Sequence, residues 1–75
     1  MPTNRELSLS ELRVTRGREL RTQIRWELFV FRDVRDVLAT ADPDRLLVVH
    51  YGAARPQDWL EALWRSGLII DVPIR

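Results

Sequence analysis

Cysteine is absent from the 75-residue chain, which excludes a disulfide framework and a thiolate metal cage. Lysine is absent as well, so all 12 basic residues are arginine. The expected cause of that choice is codon bias in a GC-rich, bacterial genome, against selection for bidentate contacts to phosphate or carboxylate. The chemical consequence is that every cation here is a planar, bidentate donor. His50 is the only histidine, which leaves acid–base chemistry without a second imidazole. No apolar run approaches the ~20 residues that span a bilayer, and no signal-type apolar stretch follows Met1. The expected location is therefore cytoplasmic. A net charge of +1 supplies no global field for nucleic acid.

The catalytic and metal-binding patterns are missing too. Ser8, Ser10 and Ser66 lack the G-x-S-x-G context of a nucleophile elbow. Asp33, Asp36, Asp42 and Asp44 crowd together without the ligand spacing or the glycine of a calcium loop. Helix caps, turns and ion pairs account for them. No residue set names a reaction, so the expectation is a non-enzymatic protein without cofactor or metal.

What the chain does have is apolar mass. Hydrophobic residues make up 45% of it, including three Trp and two Phe. That composition is globular, not disordered. We expect one domain over 1–75, with residues 1–6 frayed. A domain this small buries only about 60% of the surface of its unfolded chain, so association is a natural source of extra stability.

The strongest periodic signal is alternation from Leu20 through Thr22, Ile24, Trp26, Leu28 and Val30, with polar residues on the other parity from Glu19 to Glu27. Period two predicts a long half-buried strand over about 18–31, with Trp26 facing the core. Phe29 and Phe31 fall on the opposite parity and would need cover on the sheet's other side. Before this segment, Ser8 and Glu11 fit a capping box and favour a short helix ending at Gly17, against a rival strand over Leu7–Val14. After it, Phe31, Val34, Val37, Leu38 and Ala41 have helical spacing, with a hairpin strand as the alternative.

Asp42-Pro43-Asp44-Arg45 is turn chemistry. Leu46-Leu47-Val48-Val49 is apolar without alternation, which predicts a central strand buried on both faces and running to Tyr51. Pro56 suits the first position of a helix to Ser66 with a Trp59, Leu60, Leu63, Trp64 stripe and a Glu61–Arg65 pair, closed by Gly67. Leu68–Ile74 reads as a last strand that Pro73 confines to an edge. The expected fold class is α/β or α+β: a sheet of three to four strands with two to three helices, in the order (α or β)-β-α-β-α-β. Parallel neighbours joined by helical crossovers would be right-handed.

Three candidate surfaces follow. Phe29 and Phe31 are the expected interface of a protein–protein interaction module, either a homo-oligomer or a subunit of a hetero-complex. Arg13, Arg16, Arg18, Arg21 and Arg25, offset only by Glu19 within that stretch, are the nucleic-acid alternative. His50, Tyr51 and Arg55, at a strand end and a helix start, are a weaker anion or ligand site. The first reading leads, with a DNA- or RNA-binding regulatory protein as its alternative.

Overall fold

The computed structural model describes residues 6–69. Five elements follow in order: strand β1 (Leu7–Arg13), helix α1 (Arg21–Leu28), strand β2 (Val34–Ala39), strand β3 (Arg45–Tyr51) and helix α2 (Pro56–Arg65). The fold is a small α+β unit in which the strands form one antiparallel sheet of order β1-β3-β2. Because β1 and β2 both run against β3, they run parallel to each other with β3 between them. The expected parallel neighbours are therefore not present. Both helices bury their apolar faces against one side of the sheet. There Ile24, Leu28, Trp59 and Leu63 meet Leu12, Val34, Val37, Leu46 and Val48.

The long strand expected over 18–31 is instead a turn followed by α1. The error has a clear physical source. The even positions 20, 24 and 28 satisfy period two, but they also lie four apart, one helical turn from each other. Ile24 and Leu28 are completely buried, Leu20 is half-buried, and Trp26, out of phase with that stripe, is exposed. Trp26 is thus not the core residue that alternation predicts.

The helix expected over 31–41 is β2, the hairpin alternative. Again two periods coincide. A bulge places Arg35 and Asp36 together opposite Val49, so that Val34 and Val37, three apart, both face the core. One inserted residue makes a strand imitate helical spacing.

The N-terminal element is the rival strand and not the capped helix. Gly17 ends no helix there. It sits where β1 turns toward α1, and a Cβ on it would come within 2.9 Å of the Val14 carbonyl oxygen and 3.1 Å of Leu46 Cγ. The preceding Arg16 has a φ of 60°. The Asp44 carboxylate accepts a hydrogen bond from the Arg16 backbone N–H at 2.9 Å, which holds that conformation in place.

The central position of β3 and the extent of α2 follow expectation. Burial on both faces of β3 does not: Leu46, Val48 and His50 are buried, whereas Leu47 and Val49 are half-buried. Helix α2 begins at Pro56 and ends in a Schellman motif. The Leu68 N–H donates to the Leu63 carbonyl at 3.0 Å and the Gly67 N–H to the Trp64 carbonyl at 3.1 Å, with Gly67 at a φ of 84°. Trp59 and Leu63 are buried and Leu60 is half-buried, but Trp64 is largely exposed. The Glu61–Arg65 pair forms at 3.0 Å. The last expected strand, 68–74, lies almost wholly outside the described residues.

Candidate interaction surface

The sheet has two unlike faces. Pairing register places Leu7, Leu9, Glu11 and Arg13 of β1 beside Tyr51, Val49, Leu47 and Arg45 of β3, and Leu38 of β2 beside Leu47. All of these lie on the side away from the helices, since along paired strands they alternate with the set that includes Leu12, Val37, Leu46, Val48 and His50, which is buried on the helix side. No described helix covers this side. Leu7, Leu9 and Leu38 are 55%, 61% and 39% exposed. The patch is aliphatic at the Leu7–Leu9 end. It is bounded at the other end by an ion pair between Arg45 and Glu11 at 2.9 Å.

The two outer edges of the sheet also differ. Val37 directs its backbone away from β3, and both its polar groups are already engaged. Its N–H donates to the Asp36 carboxylate at 2.8 Å, and its carbonyl accepts from Arg21 Nη1 at 3.1 Å. Further along the chain, Arg18 donates to the carbonyls of Thr40 and Ala41. Arg25 secures the Asp36 carboxylate at 2.8 Å. Asp36, with side chains from α1 and the turn before it, therefore obstructs the β2 edge at Val37 and just beyond the strand.

This arrangement relocates the arginine-rich segment. Arg18, Arg21 and Arg25 bind backbone or carboxylate within the fold. Arg16 pairs with Glu19 at 2.9 Å, and Arg13 lies on β1 at the exposed sheet face. The five do not form one basic stripe. The Arg16–Glu19 contact holds the Glu19 carboxyl below its usual range, first through the hydrogen bond and then through charge attraction. Arg16 is raised by the same two causes.

Phe29 and Phe31 are half-buried and pack against the core beside Leu20 and Leu60. The Phe29 ring meets Trp26 edge-on with centroids 6.0 Å apart and carries the Arg25 guanidinium 4.9 Å above it. Phe31 helps line an open hollow of about 460 Å³ with Glu27, Asp58, Glu61, Ala62, Arg65 and Ser66, most of them charged or polar. With Phe29 at the end of α1 and Phe31 in the turn after it, the two rings do not share the second face of a strand. What remains around Phe29 is an exposed aromatic corner, with Val30 also in solvent.

His50, Tyr51 and Arg55 diverge. His50 is buried on the helix side, its ring 5.3 Å from Trp59. Its Nε2 lies 2.7 Å from Ser10 Oγ, and its Nδ1 lies 3.3 Å from the Tyr51 carbonyl. A carbonyl only accepts, so Nδ1 is the donor in that contact. Tyr51, one residue on, faces the other side of the sheet. Arg55 pairs with Asp33 at 3.3 Å. The three side chains share no cleft in this arrangement.

Among the described residues no group of three or more His, Asp or Glu could hold a metal ion, and no helix is long and apolar enough to cross a membrane. Sequence reasoning missed Leu7, Leu9 and Leu38. The signal for the first two was present in the alternation Leu7-Ser8-Leu9-Ser10, which the capping-box pattern over the same residues outweighed. No family model, curated protein or solved structure matches this chain.

Proposed function

We propose that this protein is a small non-enzymatic interaction module that works by presenting the helix-free face of its sheet to another protein chain. A sheet needs apolar cover on each face that carries apolar side chains. Here one face is covered and the other carries Leu7, Leu9, Leu38, Leu47 and Val49 with no described cover. That observation carries the reading, because isolated exposed leucines are ordinary but a set aligned across three paired strands is not. The titratable side chains that converge do so as ion pairs within the fold, which supports a binding role over a chemical one.

The test is a pair of charge insertions, Leu38→Asp and Leu9→Asp. Both side chains are exposed, so the fold tolerates the change with far-UV and near-UV circular dichroism unaltered. Any association of the wild type, with itself or with a co-purifying protein, is expected to drop by at least about tenfold, since each buried leucine contributes roughly 1.5–3 kcal/mol. A wild-type chain whose association survives both substitutions unchanged refutes the assignment of this face.

A further inference from the structure

We infer that the outer edge of β1 is a self-pairing site, through which a second copy of this chain joins the sheet as an antiparallel neighbour. The inference rests on the reading of this protein as an interaction module and names its partner.

The backbone directions settle which groups are available. The Val14 N–H donates to the Asp44 carbonyl, so even-numbered residues of β1 turn their hydrogen-bonding groups toward β3. In an antiparallel ladder the alternate residues point the other way. Leu7, Leu9, Glu11 and Arg13 therefore present both N–H and C=O outward, and no described residue pairs with them. The opposite edge is blocked at Val37 by Asp36 and Arg21, and just past the end of β2 by Arg18 on Thr40 and Ala41. A sheet with one open edge and one obstructed edge can add a single neighbour on the open side. Two such copies joined edge to edge make a closed two-fold pair, not a growing filament.

The side chains fit a second copy in particular. Centre the two-fold on Ser10, and Leu7 lies opposite the partner's Arg13 while Leu9 lies opposite the partner's Glu11. In that register every outward group of the four residues finds a partner. The strand carries its charges at one end and its aliphatics at the other. Antiparallel self-pairing thus sets each charged side chain against a leucine, where the Arg13 stem covers apolar surface and like charges never stand directly opposite. Glu11, which lies diagonal to the partner's Glu11, is already neutralised by Arg45 at 2.9 Å. On the helix side β1 carries Ser8, Ser10 and Leu12; the serines are short and Leu12 is buried in the core, so none of the three stands over the approach. The pairing makes the aliphatic strips of the two open faces continuous. An edge contact of seven residues lies at the small end of specific interfaces, so the dimer forms reversibly with concentration.

The experiment is sedimentation equilibrium on the full chain from about 1 μM to about 1 mM, joined to amide hydrogen exchange at both ends of that range. The expected result is a shift from the 8.9 kDa chain mass toward twice that value. At high concentration, exchange at Leu7, Leu9, Glu11 and Arg13 slows by at least about tenfold, while Val37, already bonded, does not change. Leu9→Pro removes one outward N–H and none from the β1–β3 ladder. It is expected to leave the fold intact and the chain monomeric. A wild-type chain that stays at 8.9 kDa throughout overturns the inference. So does a dimer whose four β1 amides exchange as fast as in dilute solution, because that dimer is made elsewhere. If Leu9→Pro does not fold, the wild-type exchange result decides alone. A monomeric wild type that still binds a different protein through Leu38 removes the self-pairing and leaves the module reading in place, whereas a dimer assembled on the aromatic corner removes both.

Discussion

Ile24→Ala and Trp26→Ala form a matched pair that tests the architecture at its least obvious point. The two residues share parity, so an extended segment would bury both. In α1 they stand about 200° apart around the axis. Ile24 is completely buried between α1 and the sheet, while Trp26 is 66% exposed. Truncating a buried isoleucine costs roughly 2–5 kcal/mol, from which alanine's better helix propensity returns a few tenths. A domain of this length holds about 4–11 kcal/mol in total. Ile24→Ala should therefore remove about a sixth of the stability at the least, and most of it at the upper end, and lower Tm by about 8–40 °C. Trp26→Ala loses an edge-on contact with Phe29 at 6.0 Å, on a surface where water replaces it, and should cost about 1 kcal/mol or less. Urea and thermal unfolding followed by circular dichroism, at one fixed protein concentration so that self-association does not enter the comparison, measure both. Equal losses, or a larger loss at Trp26, would refute the helix and restore the extended segment.

Three further outcomes follow from single contacts. Gly17→Ala should destabilise by about 1–3 kcal/mol, because its Cβ would come within 2.9 Å of a backbone oxygen, whereas Gly67→Ala meets no atom and carries only the strain of its φ of 84°, about 1–2 kcal/mol; calorimetry that ranks Gly67 as the costlier site contradicts the packing described. Ser10→Ala leaves His50 Nε2 buried without its partner at 2.7 Å and should cost about 1–3 kcal/mol in chemical denaturation, with Ser10→Thr recovering part of it. Glu19 is held below its usual pKa by Arg16, so its contribution is present above the ordinary carboxylate range and fades as pH falls through the lowered value; carbon-detected NMR should show its midpoint below the ordinary glutamate range, and Arg16→Gln should return it to that range.

Elements whose sequence carried only one period were legible. Helix α2 has Pro56 at its start, a stripe through Trp59 and Leu63, and Gly67 at its end; nothing in it alternates. β3 is an apolar run bounded by an Asp-Pro turn and a glycine; it is central as expected, although the two-face burial from which that place was read is not found, its residues alternating between buried and half-buried. The segments that misled each satisfied two rules at once. Residues 20–28 alternate and also repeat every fourth position. Val34 and Val37 have helical spacing because a bulge adds a residue to a strand. Leu7–Arg13 begins with alternation but overlaps a capping box. A hydrophobic pattern records which side chains are buried, not the backbone that buries them. Where two backbones bury the same set, contacts outside the segment decide, and for β2 the decisive contact is pairing with the next strand, β3.

The arginines illustrate the same limit for the site. As a string, Arg13 to Arg25 reads as a field aimed outward. In the fold, three of these side chains reach sideways to carbonyls and a carboxylate at the margin of β2. A guanidinium suits this task because it carries several N–H donors; Arg18 donates from Nη2 alone to both the Thr40 and the Ala41 carbonyls. The cost of such closure is helix surface committed to an internal job, and it falls on β2 alone. Among the described residues β1 has no helix beside its margin and no inward-reaching cation; its outward residues are two leucines, a glutamate tied to Arg45, and an arginine. A fold that places three arginines at one margin and no described cover at the other differs from one that covers neither. The unguarded margin is the place where this small sheet can gain the area its own 75 residues do not supply.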